Sequence, residues 1–179
     1  MRKVVLIFGL LAGTIVSIFL FVSTALMKEG TINFDNGEIV GYATMIIALS
    51  MIFFGIKSYR DNYQNGAITF GKGFQVGILI TLVASLMYAL SWETYYQTQP
   101  DDQPSFMDKY VEHSINKMRD DGASETEIKL ATQEMENMAE LYKNPLIRFG
   151  FTLVEILPVG LLITLISAGL LRKRAFLPA

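Results

Sequence analysis

Apolar and polar positions alternate on a coarse scale along this chain. Four long apolar runs, at about residues 4–27, 39–56, 69–92 and 146–171, are separated by two short polar connections and one long hydrophilic stretch. A bilayer core of roughly 30 Å takes about 20 helical residues. The pattern therefore predicts an all-α, polytopic membrane protein with four transmembrane helices. In the stretch between the third and fourth runs, Phe106, Tyr110, Val111, Ile115 and Met118 recur at helical spacing, as do Ile128, Ala131, Met135, Met138 and Tyr142. Asp120-Asp121-Gly122 separates the two patterns, and Ser124 with Glu127 forms a capping box for the second. The expectation is a single four-helix membrane domain over 1–179, with 93–145 inserted as an acidic, extracytoplasmic helical hairpin whose arms are each roughly 25 Å long.

The last run carries the sharpest local features. Between Leu146 and Leu171 stand 16 Leu, Ile, Val or Phe residues, together with Glu155 and Pro158. Each apolar residue contributes at most about −0.5 kcal/mol to insertion, against roughly +2.5 to +3.5 kcal/mol for a central charge, so the run inserts despite its carboxylate. Pro158 lacks an N–H, which frees the Val154 carbonyl and predicts a kink. Spacings of three and seven put Arg148, Thr152, Glu155 and Pro158 on one face, expected to look into the bundle as an intramembrane polar site. A bland reading of Glu155 is a hydrogen-bonding group inside a packed core. Arg148 either pairs with Glu155 or snorkels to water.

The first run follows Arg2-Lys3 and is too long for a signal-peptide core, in spite of Ser23-Thr24-Ala25, so it is expected as an uncleaved span. Gly9, Gly13 and Ser17 form a small-residue stripe in it, and Gly73 and Gly77 a GxxxG in the third run; both suit close helix packing. Lys28–Glu38 is expected as a loop turning at Asn36-Gly37, and Lys57–Gly66 as a basic, aromatic loop broken at Asn65-Gly66. Trp92, Tyr95 and Tyr96 form an interfacial belt in which Glu93 is expected to be solvated.

Charge adds an orientation. The stretch Glu93–Lys143 holds 12 acids and 5 bases. With four spans, Arg2, Lys3, Lys57, Arg60, Lys72, Arg172, Lys173 and Arg174 fall on the opposite side from it. The positive-inside rule then puts both termini in the cytoplasm and the hairpin outside.

Little chemistry is on offer. The chain has no Cys and one His, His113, so thiolate sites are excluded and a metal site is not expected. The acid pairs Asp101-Asp102 and Asp120-Asp121 match no EF-hand spacing. There is no GxSxG, HExxH or Walker loop, and no basic face for nucleic acid. No catalytic set, cofactor or nucleic-acid partner is expected. The methionines of the hairpin, among them Met107 and Met118, suit an adaptable partner surface or plain helix packing. Tyr59 and Tyr63 beside Lys57 and Arg60 suit headgroup contact or interfacial anchoring.

Gly55-Ile56-Lys57-Ser58-Tyr59-Arg60, then Gly66–Phe74 with Gly77, and later Glu155–Leu161 with Ile166-Ser167-Ala168, resemble a bacterial membrane family catalogued as domain of unknown function 4199. The resemblance covers nearly the whole chain. It implies an origin mainly in Bacteroidota, an inner membrane and a periplasmic hairpin, and it brings no activity, substrate or cofactor.

Two functional expectations follow. The first is a non-enzymatic inner-membrane protein acting through self-association, or through a membrane or periplasmic partner, by way of the hairpin. The second is a small oligomeric transporter or channel with Glu155, beside the Pro158 kink, as its proton or ion site.

Overall fold

The computed structural model describes residues 1–100 and 104–173; Asp101, Asp102 and Arg174 lie outside them. Among the described residues are seven helices: α1 (Arg2–Lys28), α2 (Phe34–Leu49), α3 (Met51–Tyr63), α4 (Phe70–Gln97), α5 (Phe106–Asp120), α6 (Glu125–Tyr142) and α7 (Pro145–Leu171). Four segments are long and apolar enough to cross a membrane: α1, α2 with α3 (Phe34–Tyr63), α4 and α7. The chain divides into two compact units, Met1–Ser91 with the chain from Thr152 onward, and Trp92–Phe151.

The second span is longer than its apolar run. Asn33 and Asn36 cap each other reciprocally and start α2 five residues before Ile39, so the Asn36-Gly37 turn does not form; the chain turns instead at Gly30, in the left-handed region at φ 77°. At the other end, Lys57 to Tyr63 continue the helix instead of looping. Tyr59 is buried there, while Lys57, Asp61 and Asn62 point outward. The turn is confined to Asn65 (φ 49°) and Gly66 (φ 78°). Between α2 and α3 only Ser50 interrupts; its backbone stays right-handed helical and its hydroxyl donates to the Ile47 carbonyl at 2.6 Å.

In the first unit, α4 contacts the other three spans. Along α1, a Cβ on Gly9 would sit 2.7 Å from the Val83 Cβ, and one on Gly13 2.6 Å from the Met87 Sδ. One turn further, Ser91 donates to the Ser17 hydroxyl at 2.8 Å. Residue numbers rise together, so α1 and α4 are parallel. Along α7 they run opposite: Gly73 meets Ala168, Gly77 meets Thr164, and Gly160 meets Thr81. Gly55 of α3 fits between Phe8 and Ile80. The spans thus alternate in direction, and their facing sides bury Ala12, Val16, Leu49, Ile52, Ile56, Val76, Ile80, Ala84 and Ile156. Outward they expose large apolar side chains such as Leu10, Ile18, Ile46, Leu90 and Leu162, a surface suited to lipid.

One end of this unit is closed by backbone. Ile68 and Lys173 exchange two hydrogen bonds of 2.9 and 3.0 Å, pinning the α3–α4 turn to the chain just after α7. Arg60 adds a 3.5 Å bond to the Leu171 carbonyl and a 2.7 Å pair with Asp61. The alternation gathers Arg2, Lys3, Lys57, Arg60, Lys72, Arg172 and Lys173 at this end.

In the second unit α5 and α6 pack on each other through the turn at Gly122 (φ 82°). Ser105 caps α5 with Asp108, a box absent from the sequence reading, and Ser124 caps α6 with Glu127 as expected. Ile115 is buried. Met138, expected on one face with Ile128, Ala131, Met135 and Tyr142, departs from them: those four are half-buried, while Met138 is 40% exposed.

Two outcomes are expected. Gly13→Leu and Gly77→Leu insert bulk where a Cβ already collides, and each should cost about 1–3 kcal/mol. Gly41→Leu, with open space around it, should cost nothing measurable in thermal unfolding of detergent-solubilised protein. The Glu127 carboxyl accepts from the Ser124 hydroxyl (2.7 Å) and the Ser124 N–H (2.9 Å), which hold it below the usual carboxylate range. Its support of α6 is therefore complete above that range and is lost as pH falls through the lowered value. Ser124→Ala should raise the Glu127 titration midpoint, as read by carboxyl-carbon NMR.

Candidate functional site

The most elaborate polar site lies in the second unit. Asn144 opens α7, its side chain accepting from the Leu146 N–H at 2.9 Å, with Pro145 at the first helical position, where its missing N–H costs nothing. This start places Arg148 one turn in, at 2% exposure. Glu93, on the last turns of α4, receives it in a two-point fork: Arg148 Nε donates to Oε2 at 2.8 Å and Nη2 to Oε1 at 2.6 Å. Nη1 donates to the Tyr142 carbonyl at 3.0 Å, and Gln97 adds a 2.6 Å bond to Glu93 Oε1.

Aromatic rings wall the pair. The Arg148 guanidinium carbon lies 3.8 Å from the Tyr96 ring centre, a cation–π contact. Tyr96 meets Tyr142 edge-on at 5.7 Å, and Trp92 donates its indole N–H to the Tyr142 hydroxyl at 2.7 Å. Trp92 also packs edge-on against Phe106 at 5.1 Å. The site thereby joins the end of α4, the start of α5, the end of α6 and the start of α7. Its side chains are 3% and 15% exposed. Both charges are committed to each other, so the site works as a clamp.

The polar face expected on α7 divides. Arg148 and Thr152 are buried, and Glu155 and Pro158 are exposed. The buried row advances by fours, through Thr152, Ile156, Gly160, Thr164 and Ala168, and α4 approaches closely at the small residues Gly160, Thr164 and Ala168. Stepping by threes, to Glu155 and Pro158, leaves that row. Glu155 therefore faces out of the bundle, and it makes no hydrogen bond or ion pair among the described residues. The helix itself is continuous through Pro158. Glu93, expected in solvent, is instead the partner of Arg148. Gly9, Gly13, Gly73 and Gly77 lie at the α1–α4 and α4–α7 contacts. His113 is half-buried in α5, and no three His, Asp or Glu side chains gather as metal ligands among the described residues.

A family model described as "Protein of unknown function (DUF4199)" matches residues 7–173, and the chain belongs to that family. No curated protein and no solved structure matches it.

Removing one member of a buried pair strands the other charge. Glu93→Gln or Arg148→Met alone should cost about 3–5 kcal/mol, while the double variant should recover most of that loss. Denaturant unfolding of the four proteins in micelles provides the cycle.

Proposed function

We propose that this member of the DUF4199 family is a non-enzymatic integral protein of a bacterial inner membrane, acting by self-association or on a partner through the acidic unit Trp92–Phe151. In this reading both termini are cytoplasmic and residues 93–145 are periplasmic. The gathering of bases at the Ile68–Lys173 end of the bundle supports that orientation through the positive-inside rule. The absence of a catalytic constellation from the sequence supports a binding role.

The observation that carries the reading is α6. No residue of it is buried, yet Leu130 and Leu141 are 58% and 51% exposed, with Met138 on the same side. Apolar side chains held outward on a capped, charged helix suit contact with another protein. The transporter reading has weaker support: a carboxyl turned out of the bundle does not line a path along its axis.

The natural lack of Cys makes the test direct. In intact cells with a permeabilised outer membrane, Leu130→Cys should react with an impermeant maleimide and Lys57→Cys should not. A photocrosslinker at position 130 or 141 should yield an adduct heavier than the monomer. Labelling in the reverse pattern overturns the orientation, and absence of an adduct at both positions overturns the binding role.

A further inference from the structure

Glu155 stands ten residues after Pro145 and sixteen before Leu171, which puts it about 15 Å along α7 from one end and about 24 Å from the other. It is thus within the apolar length of the span, exposed, and without a hydrogen-bond or ion-pair partner among the described residues. An ionisable side chain at that depth is costly against lipid and ordinarily faces protein or a water-filled cavity. Among the described residues the bundle supplies it no polar partner. α7 is also the least covered of the four spans.

The surroundings of Glu155 form a seam. Glu155, Pro158, Leu162, Leu165 and Gly169 follow at steps of three, four, three and four, the spacing along which two helices pack in register. All five are exposed; Leu162 is 61% and Leu165 39% accessible. A Cβ on Gly169 would meet nothing within 4 Å, so the seam ends in an open hollow able to take a neighbouring helix closely.

We infer that this face of α7 is a contact with a second copy of the same chain, in which the two Glu155 side chains bond to each other. Insertion gives every copy the same orientation, so a contact of α7 with α7 is parallel. A two-fold axis along the membrane normal then sets each Glu155 opposite its counterpart at the same depth. A carboxyl group that holds a proton is donor and acceptor at once and satisfies an identical group across such an axis. A different protein would need its own polar group at that depth; a second copy has one there necessarily. The contact is independent of the α6 surface, and either stands if the other fails.

Single cysteines placed in the Cys-free chain, oxidised in native membranes, test it. Leu162→Cys and Leu165→Cys should give disulfide-linked dimers, while Ile18→Cys on α1 and Leu86→Cys on α4, also lipid-facing, should remain monomeric. Added to Leu162→Cys, Glu155→Gln keeps a donor and an acceptor and should preserve the dimer yield. Glu155→Leu keeps neither and should lower it at least threefold. No dimer at either α7 position, equal yields at all four, or an unchanged yield with Glu155→Leu would overturn the inference. So would an adduct to a different protein.

Discussion

Closeness of approach along α4 is the constraint on which the membrane unit depends. Within lipid, helices gain nothing by hiding apolar surface from water, so association rests on packing and on polar contacts between helices. α4 meets its neighbours mainly where one side or the other is small: Gly9 and Gly13 of α1 against Val83 and Met87, Gly55 of α3 against Ile80, and Gly77 against Thr164 of α7. Hydroxyls reinforce the fit, with Ser91 bonded to Ser17, and Thr81 bonded to Thr164 at 3.2 Å and to its own helix at Gly77. The lipid-facing sides need no such economy of volume and carry Leu, Ile and Phe.

A different chemistry organises Trp92–Phe151. Its helices are short and acidic, and its order comes from two reciprocal caps and a buried Arg–Glu fork boxed in by tyrosines and a tryptophan. Such a fork is a poor source of net stability but a strict one of geometry, because both partners lose heavily if either moves. Four helix ends meet there, all within Trp92–Phe151, so the fork and its rings hold that unit together.

Much of this was legible in residue pattern. The spans follow from hydropathy alone, and the glycine stripes pointed to contacts between helices. What escaped was direction around a helix and pairing across distance. Arg148, Thr152, Glu155 and Pro158 are neighbours on a helical net, but whether the buried row advances by threes or fours depends on the tilt at which α4 crosses, which no local spacing encodes. Glu93 looked like an ordinary interfacial acid because its partner lies 55 residues away. A signal was present: opposite charges flank one hairpin, each at the same end of its span. The ends of the second span were misplaced for another reason. Asn33 with Asn36, and Lys57 through Tyr63, are polar yet helical, so the helix outruns its apolar core.

The two-bond bridge between Ile68 and Lys173 bears on how the chain reaches this state. Its neighbour, the Arg60 bond to Leu171, joins residues 111 positions apart. Contacts of such sequence separation close late, after the intervening loop has been ordered. The α1–α4 contacts can form without α7, but this end stays unlatched until the chain just after α7 reaches the α3–α4 turn. Truncation before Lys173 would leave a bundle with its spans inserted and its basic end unfastened. The latch is thus written into the backbone and asks nothing of the side chains at either position.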